Sequence, residues 1–237
     1  MNSREELWSE VVASIEDLAV HGCYEKVNKY MSLNTVNKLR VKTIRLLGDS
    51  QRVLDAGCGP GTSSVLIAKM KPHAMLYLLD PSLKMLNIAV KTLTQTVNSI
   101  DVRPLVGRFE RIPLRDNEVD GITAMFSFRD ALDFEEAVAE FARVLGENGK
   151  LAILDIYRPR RLGRIIVGLY FRIIVPIAVM LSRCAARITK YTDFLETINV
   201  MLTKEELEDL LSKYFEKTVT YNIAPGLAIF YAESPKP

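Results

Sequence analysis

The segment Val53-Leu54-Asp55-Ala56-Gly57-Cys58-Gly59-Pro60-Gly61-Thr62 sets a carboxylate just before three glycines, and Leu78-Leu79-Asp80-Pro81-Ser82 sets a second carboxylate about twenty residues later. An apolar strand ending in a glycine turn brings backbone close to a ligand with no Cβ in the way, and a helix opening at Thr62 presents free N–H groups there. An acid at the end of a following strand is suited to a ribose diol. The glycines alone are a weak signal, because dinucleotide sites also use them. Here the spacing is G-x-G-x-G, with Thr62 where a dinucleotide fold has its third glycine. Asp55 would repel a pyrophosphate and attract an ammonium group.

S-adenosylmethionine carries that ammonium and a ribose, and no phosphate. The motif resembles that of the class I S-adenosylmethionine-dependent methyltransferases, in which the first acid and glycine loop hold the methionine end and the second acid holds the ribose. Further stretches are similar to the ubiquinone/menaquinone biosynthesis C-methyltransferases. Tyr24-Glu25-Lys26-Val27-Asn28-Lys29-Tyr30-Met31-Ser32 resembles that family's Y-D-x-x-N-x-x-M-S, and Phe126-Ser127-Phe128-Arg129-Asp130 its F-G-L-R-N. Leu154-Asp155-Ile156-Tyr157-Arg158-Pro159 is similar to L-E-F-S-x-P, and Pro225-Gly226-Leu227-Ala228 to G-I-x-A.

The resemblance implies a cofactor site of Tyr24, Asp55, Gly57, Cys58, Gly59, Asp80, Pro81, Arg108, Phe109 and Phe126, with Arg129 and Asp130 at the catalytic end. It also implies methyl transfer to a ring carbon of a prenylated quinol-like substrate, with a cation such as Arg129 favouring the phenolate and no metal. Two departures stand out. Where the family has G-D-A, whose acid reaches the adenine amino group, this chain reads Gly107-Arg108-Phe109, and an arginine cannot accept that hydrogen bond. Adenine then rests on backbone groups and Phe109. The family's Arg-Asn is Arg129-Asp130. The plainer alternative leaves Arg129 as a surface cation paired with Asp130 or Asp133.

Elements that would position these residues follow from the apolar periodicity. Residues 3–19 and 27–47 read as helices, forming an appendage over 1–48 ahead of a methyltransferase domain at 49–237. Strands are expected at 52–56, 74–79, 102–106, 119–126 and 150–157, the last entered through a Gly146/Gly149 turn. Helices at 62–70, 82–96 and 133–145 lie between them, with Ser82 as N-cap. A helix at 204–213 and strands at 217–222 and 227–232 finish the chain. The fold class is α/β: a Rossmann-like, seven-stranded, mostly parallel sheet with an antiparallel last strand and helices on both faces, ligands binding at the strands' C-terminal ends.

The net charge of +2 over 237 residues hides an asymmetry. From Ile156 to Thr192 there are eight basic residues and no acid, against 23 basic and 29 acidic elsewhere. This island is also the most apolar stretch, and 158–190 reads as a helical insertion acting as a lid. Arg172 and Pro176 interrupt it, so no uncharged run reaches the roughly 18 residues of a spanning helix, and the reading is not a transmembrane helix. On a helical wheel, Arg161, Arg164, Arg172, Arg183 and Arg187 gather on one side of a broad apolar face, suited to a lid, a homodimer contact or a peripheral membrane surface.

Cys23, Cys58 and Cys184 show no paired spacing, which argues against a disulfide framework or zinc site. They point to a reducing cytoplasm, and the basic island to contact at the membrane surface. The acidic N-terminus is unlike a signal peptide. The arginines are interleaved with Ile, Val and Leu rather than stacking aromatics, so nucleic acid is not the expected partner. A hydrophobic small-molecule substrate is. An O- or N-methyltransferase of another small hydrophobic molecule is the alternative enzyme, and a non-catalytic cofactor-binding subunit the alternative outside catalysis.

Overall fold

The computed structural model describes residues 13, 15–32, 34–97, 100–184, 198 and 201–236. Seven strands form one sheet in the order β3-β2-β1-β4-β5-β7-β6. They are β1 (Arg52–Ala56), β2 (Met75–Asp80), β3 (Asp101–Val106), β4 (Val119–Met125), β5 (Leu145–Ile156), β6 (Phe215–Ala224) and β7 (Leu227–Pro235). The first five pair in parallel, and β7 runs antiparallel to both β5 and β6. The central strands β1, β2 and β4 are buried almost end to end. Helices cover both faces of the sheet, which is why these strands read as continuous apolar runs. The edge strands β3 and β6 are largely open to solvent, and Pro104 sits in β3, where a missing N–H costs least.

On one face pack α5 (Phe134–Val144) and α7 (Lys204–Tyr214). On the other pack α2 (Val36–Leu46), α3 (Thr62–Met70) and α4 (Leu83–Thr96). Local chemistry starts these helices where the sequence indicated. Ser82 Oγ accepts from Met85 N at 3.2 Å, Asp133 accepts from Glu135 and Glu136 N–H, and Thr203 and Glu206 form a reciprocal capping box.

Three expectations need correction. The helix expected over 27–47 is two helices, α1 (Tyr24–Met31) and α2. Asn34 takes a left-handed conformation between them, at φ 64°, and Ser32 Oγ accepts the Val36 N–H, turning the chain. Strand β5 begins at Leu145 rather than at 150, because Leu145 pairs with Val119 and the register then shifts before Lys150 pairs with Gly121; Gly146 and Gly149 are absorbed in that irregularity. The helix expected over 3–19 falls largely outside the described residues, of which 15–20 are helical.

The basic island differs most from expectation. Residues 161–181 form one continuous helix, α6, through both Arg172 and Pro176. A π-helical turn at Tyr170–Ile174 directly precedes Pro176, and such a widened turn accommodates a proline ring without breaking the helix. The interruption inferred from sequence is therefore absent, and Leu162–Leu181 is long and apolar enough to cross a membrane by length and composition. Its inner face packs through Val175 and Val179 on Leu18 and Val27. Tyr170 donates to the Met31 carbonyl. Cys23 and Cys184, 161 residues apart, are joined by a disulfide, so the expectation of unpaired cysteines fails for two of them. Residues 185–190 of the proposed lid, with Arg187, lie outside the described residues.

Candidate functional site

A cleft opens where β1, β2 and β4 end. Every sequence-indicated site residue lines it except Asp55 and Arg129. Its floor is the glycine loop. Gly57 has φ +69°, and a Cβ there would come within 2.4 Å of Ser127 Cβ and 2.9 Å of Phe109. Ser127 in turn donates to the Ala56 carbonyl at 2.9 Å, locking the ends of β1 and β4 together. Gly59 has φ +53°, yet a Cβ there would meet nothing within 4 Å. Packing therefore demands the first glycine, and backbone conformation with open ligand space the second.

Asp55 lies one layer beneath, 1% exposed. Ser64 Oγ donates to it at 2.6 Å and Thr123 Oγ1 at 3.1 Å. Burial raises its pKa from the ordinary 3.8 to about 6, with those hydrogen bonds opposing the rise. It is a buried carboxylate held by two hydroxyl donors. Asp80 ends β2 and receives Gly59 N–H and Ser82 N–H, both at 2.9 Å. Each bond uses one of its oxygens, which leaves lone pairs for ribose hydroxyls. Burial raises its pKa, partly offset by the two N–H groups.

Phe109 lines the cleft and packs edge-on against Phe141, with ring centroids 5.8 Å apart. Arg108 is exposed beside it. Phe126 holds φ 61°, a costly conformation for a bulky residue, while its N–H donates to the Leu154 carbonyl at 2.7 Å. That pose lets the chain leave β4 over the cleft. Tyr24 enters from α1, its phenol pKa pushed up by burial. The Cys58 thiol is likewise pushed up by burial, then by Asp55 and Asp80, which makes it an inert wall.

Arg129 takes a different place from a surface cation. It is 8% exposed, and its Nη1 lies 3.0 Å from Asp155 Oδ1, which is fully buried. The Arg129 N–H also donates to Asp155 at 3.1 Å, and Nε lies 3.8 Å from Asp130 Oδ1. Burial opposes its charge, but Asp155 and Asp130 more than offset that and hold it protonated. Asp130 reaches the cleft in its stead. Sequence reasoning missed Arg40 on α2, which lines the cleft at 2% exposure. Set among Lys38, Lys42 and Arg45, it reads as one more solvated charge, and only burial distinguishes it.

The arrangement suits a nucleoside with an amino-acid head group: an acid for a ribose, an aromatic wall for a base, a buried acid for an ammonium. The ubiE/COQ5 methyltransferase family matches residues 3–232. The chain belongs to that family, and with it to the S-adenosylmethionine-dependent methyltransferases. A demethylmenaquinone methyltransferase from Thermotoga maritima is 32% identical over 157 residues, covering 65% of this chain and 66% of that protein. One from Bacillus licheniformis is 29% identical over 219 residues, covering 87% and 92%. A putative S-adenosylmethionine-dependent methyltransferase from Methanococcus maripaludis shares the fold at TM-score 0.65 and 20% identity, covering 94% of each chain. The plantazolicin methyltransferase BpumL does so at 0.65 and 14%, covering 99% and 98%. Among the described residues no cluster of His, Cys, Asp or Glu could hold a metal ion.

Proposed function

We propose that this protein transfers a methyl group from S-adenosylmethionine to a ring carbon of a prenylated quinol-like substrate. The observation that carries the reading is a cleft whose lining joins the glycine loop and Asp80 to the apolar side chains of Met125, Phe126 and Leu132, with the carboxylates of Asp130 and Glu110 among them. Relatives named demethylmenaquinone methyltransferase support the substrate class. The cofactor supplies a methyl already activated by its sulfonium. The protein's share is alignment and exclusion of water.

A phenol makes its ring carbon nucleophilic by losing its proton, and we assign that proton to Asp130, which lines the cleft. Arg129, pinned by Asp155, acts as a positioning cation behind that carboxylate. Single-turnover methylation of a demethylated quinol, with the product's new carbon–carbon bond identified by NMR, tests this. An O- or N-methylated product would instead establish the alternative chemistry.

The outer face of α6 supports a membrane-surface contact. Leu162 is 71% and Met180 65% exposed, with Ile165, Leu169 and Ile173 between them. Both ends of the helix are held by one domain, through Arg158 N–H on the Leu202 carbonyl and Cys184 on Cys23. A helix tethered this way lies along a bilayer rather than through it. No described residue of 158–184 lines the cleft. The lid proposal for this segment therefore rests on a movement toward the cleft.

A further inference from the structure

The loop that follows β3 is braced on α5. Glu140 accepts the Ile112 N–H at 2.8 Å, and Arg143 donates to the Ile112 and Leu114 carbonyls at 3.0 and 2.9 Å. Glu110, in the same loop, makes a different contact. Its Oε1 accepts the N–H groups of Leu132 and Asp133, at 2.6 and 3.2 Å, in the segment that leads from Asp130 into α5. Helix capping does not call for this carboxylate. Glu136 stands three residues after the N-cap Asp133, the position from which Glu206 reaches back to the Thr203 N–H at 2.7 Å in α7, so a local capping box is open to α5. The Asp133 N–H goes instead to a residue 23 positions away, one that lines the cleft together with Asp130 and Leu132.

We propose that Glu110 is a positioning residue for methyl transfer, fixing the reach of Asp130 into the cleft by tying the chain just beyond it to the loop that carries Phe109. The inference rests on the assignment of the phenol proton to Asp130. On its N-terminal side Asp130 is held by Ser127, which donates to the Ala56 carbonyl, and by the Arg129 N–H on Asp155. On its C-terminal side the Leu132 and Asp133 N–H groups are held by Glu110. Cutting that tether leaves the Phe109 loop in place, because Arg143 and Glu140 grip it independently. It also leaves α5 with Glu136 to close a cap of its own. What moves is the carboxylate that meets the substrate, and a displacement of about 1 Å at a reacting group costs up to about 100-fold in rate.

Kinetics and hydrogen exchange on the full chain test this. Glu110→Ala is expected to slow single-turnover methylation of a demethylated quinol by about 10- to 100-fold at saturating S-adenosylmethionine, with S-adenosylhomocysteine affinity by calorimetry unchanged. Glu110→Gln, whose amide oxygen accepts the same two N–H groups, is expected to recover most of the rate. In an Asp130→Asn background Glu110→Ala should add little, because the two residues act as a unit. A wild-type rate in Glu110→Ala, an equal loss of rate and cofactor affinity, a Gln variant as slow as Ala, or a full further loss on top of Asp130→Asn would each overturn the proposal. Amide hydrogen exchange across 126–133 with S-adenosylhomocysteine bound reads the tether without any methyl transfer. It should quicken in Glu110→Ala and not in Glu110→Gln, and unchanged exchange in Glu110→Ala would overturn the proposal. Quickened exchange in a protein whose wild type methylates no quinol carbon would support the tether and overturn the ring-carbon reading.

Discussion

Replacing Asp55 by Asn is expected to make the protein more stable at neutral pH and poorer at holding its cofactor. The folded carboxyl titrates at about 6 against an ordinary 3.8. Between those values the native state keeps a proton that the unfolded chain has released, so stability falls as pH rises through that window. Each tenfold in proton affinity is worth about 1.4 kcal/mol, and the full loss is therefore about 3 kcal/mol above pH 6. Asn removes it. The folded pKa already nets out the Ser64 and Thr123 hydrogen bonds to the carboxylate, and turning one of those hydroxyls to accept from the new amide costs about 1 kcal/mol more. The net is about 2 kcal/mol, or roughly 4–8 °C in Tm for a chain of this size. The gain should be full at pH 8 and vanish near pH 4. S-adenosylhomocysteine affinity should drop about tenfold, because the ammonium loses its anion. Thermal unfolding from pH 4 to 8, with calorimetry at pH 7.5, measures both. A less stable Asp55→Asn at pH 8, or a stability difference that does not change with pH, would refute the argument.

Other outcomes follow from the same geometry. Asp130→Asn is expected to cut single-turnover methylation by about 100-fold with cofactor affinity unchanged, as read by rapid quench and calorimetry. Arg129→Met leaves Asp155 buried without its cation and should cost about 3–5 kcal/mol, seen as a fall in the denaturation midpoint. Cys184→Ser opens a 161-residue loop closure and should destabilise by up to about 5 kcal/mol in the chain-entropy account; an unchanged Tm under reducing and non-reducing conditions would show that the bridge contributes nothing. Sedimentation with anionic vesicles should retain the protein, and Ile165→Glu with Ile173→Glu should abolish that retention; equal binding to neutral and anionic vesicles would remove the arginines from the account.

What the sequence determined is the part written in neighbouring residues. Glycine spacing, the acids closing β1 and β2, the Ser82, Asp133 and Thr203 caps, and the apolar runs of β1, β2 and β4 each act within a few positions of themselves. That sufficed for the sheet, for most of the helices on its two faces, and for most of the residues lining the cleft. Tertiary structure decided what depends on groups far apart in the chain. Arg40 becomes a site residue because α2 packs beside the glycine loop and shuts it from water. Arg129 turns away from solvent because β5 brings Asp155 beneath it. Cys23 meets Cys184 because α6 lies along α1, and Pro176 fails to break α6 because a widened turn precedes it. In each case the deciding quantity is burial beside a particular partner, which periodicity and propensity do not encode, since both sum local preferences while desolvation is set by whatever the fold lays on top.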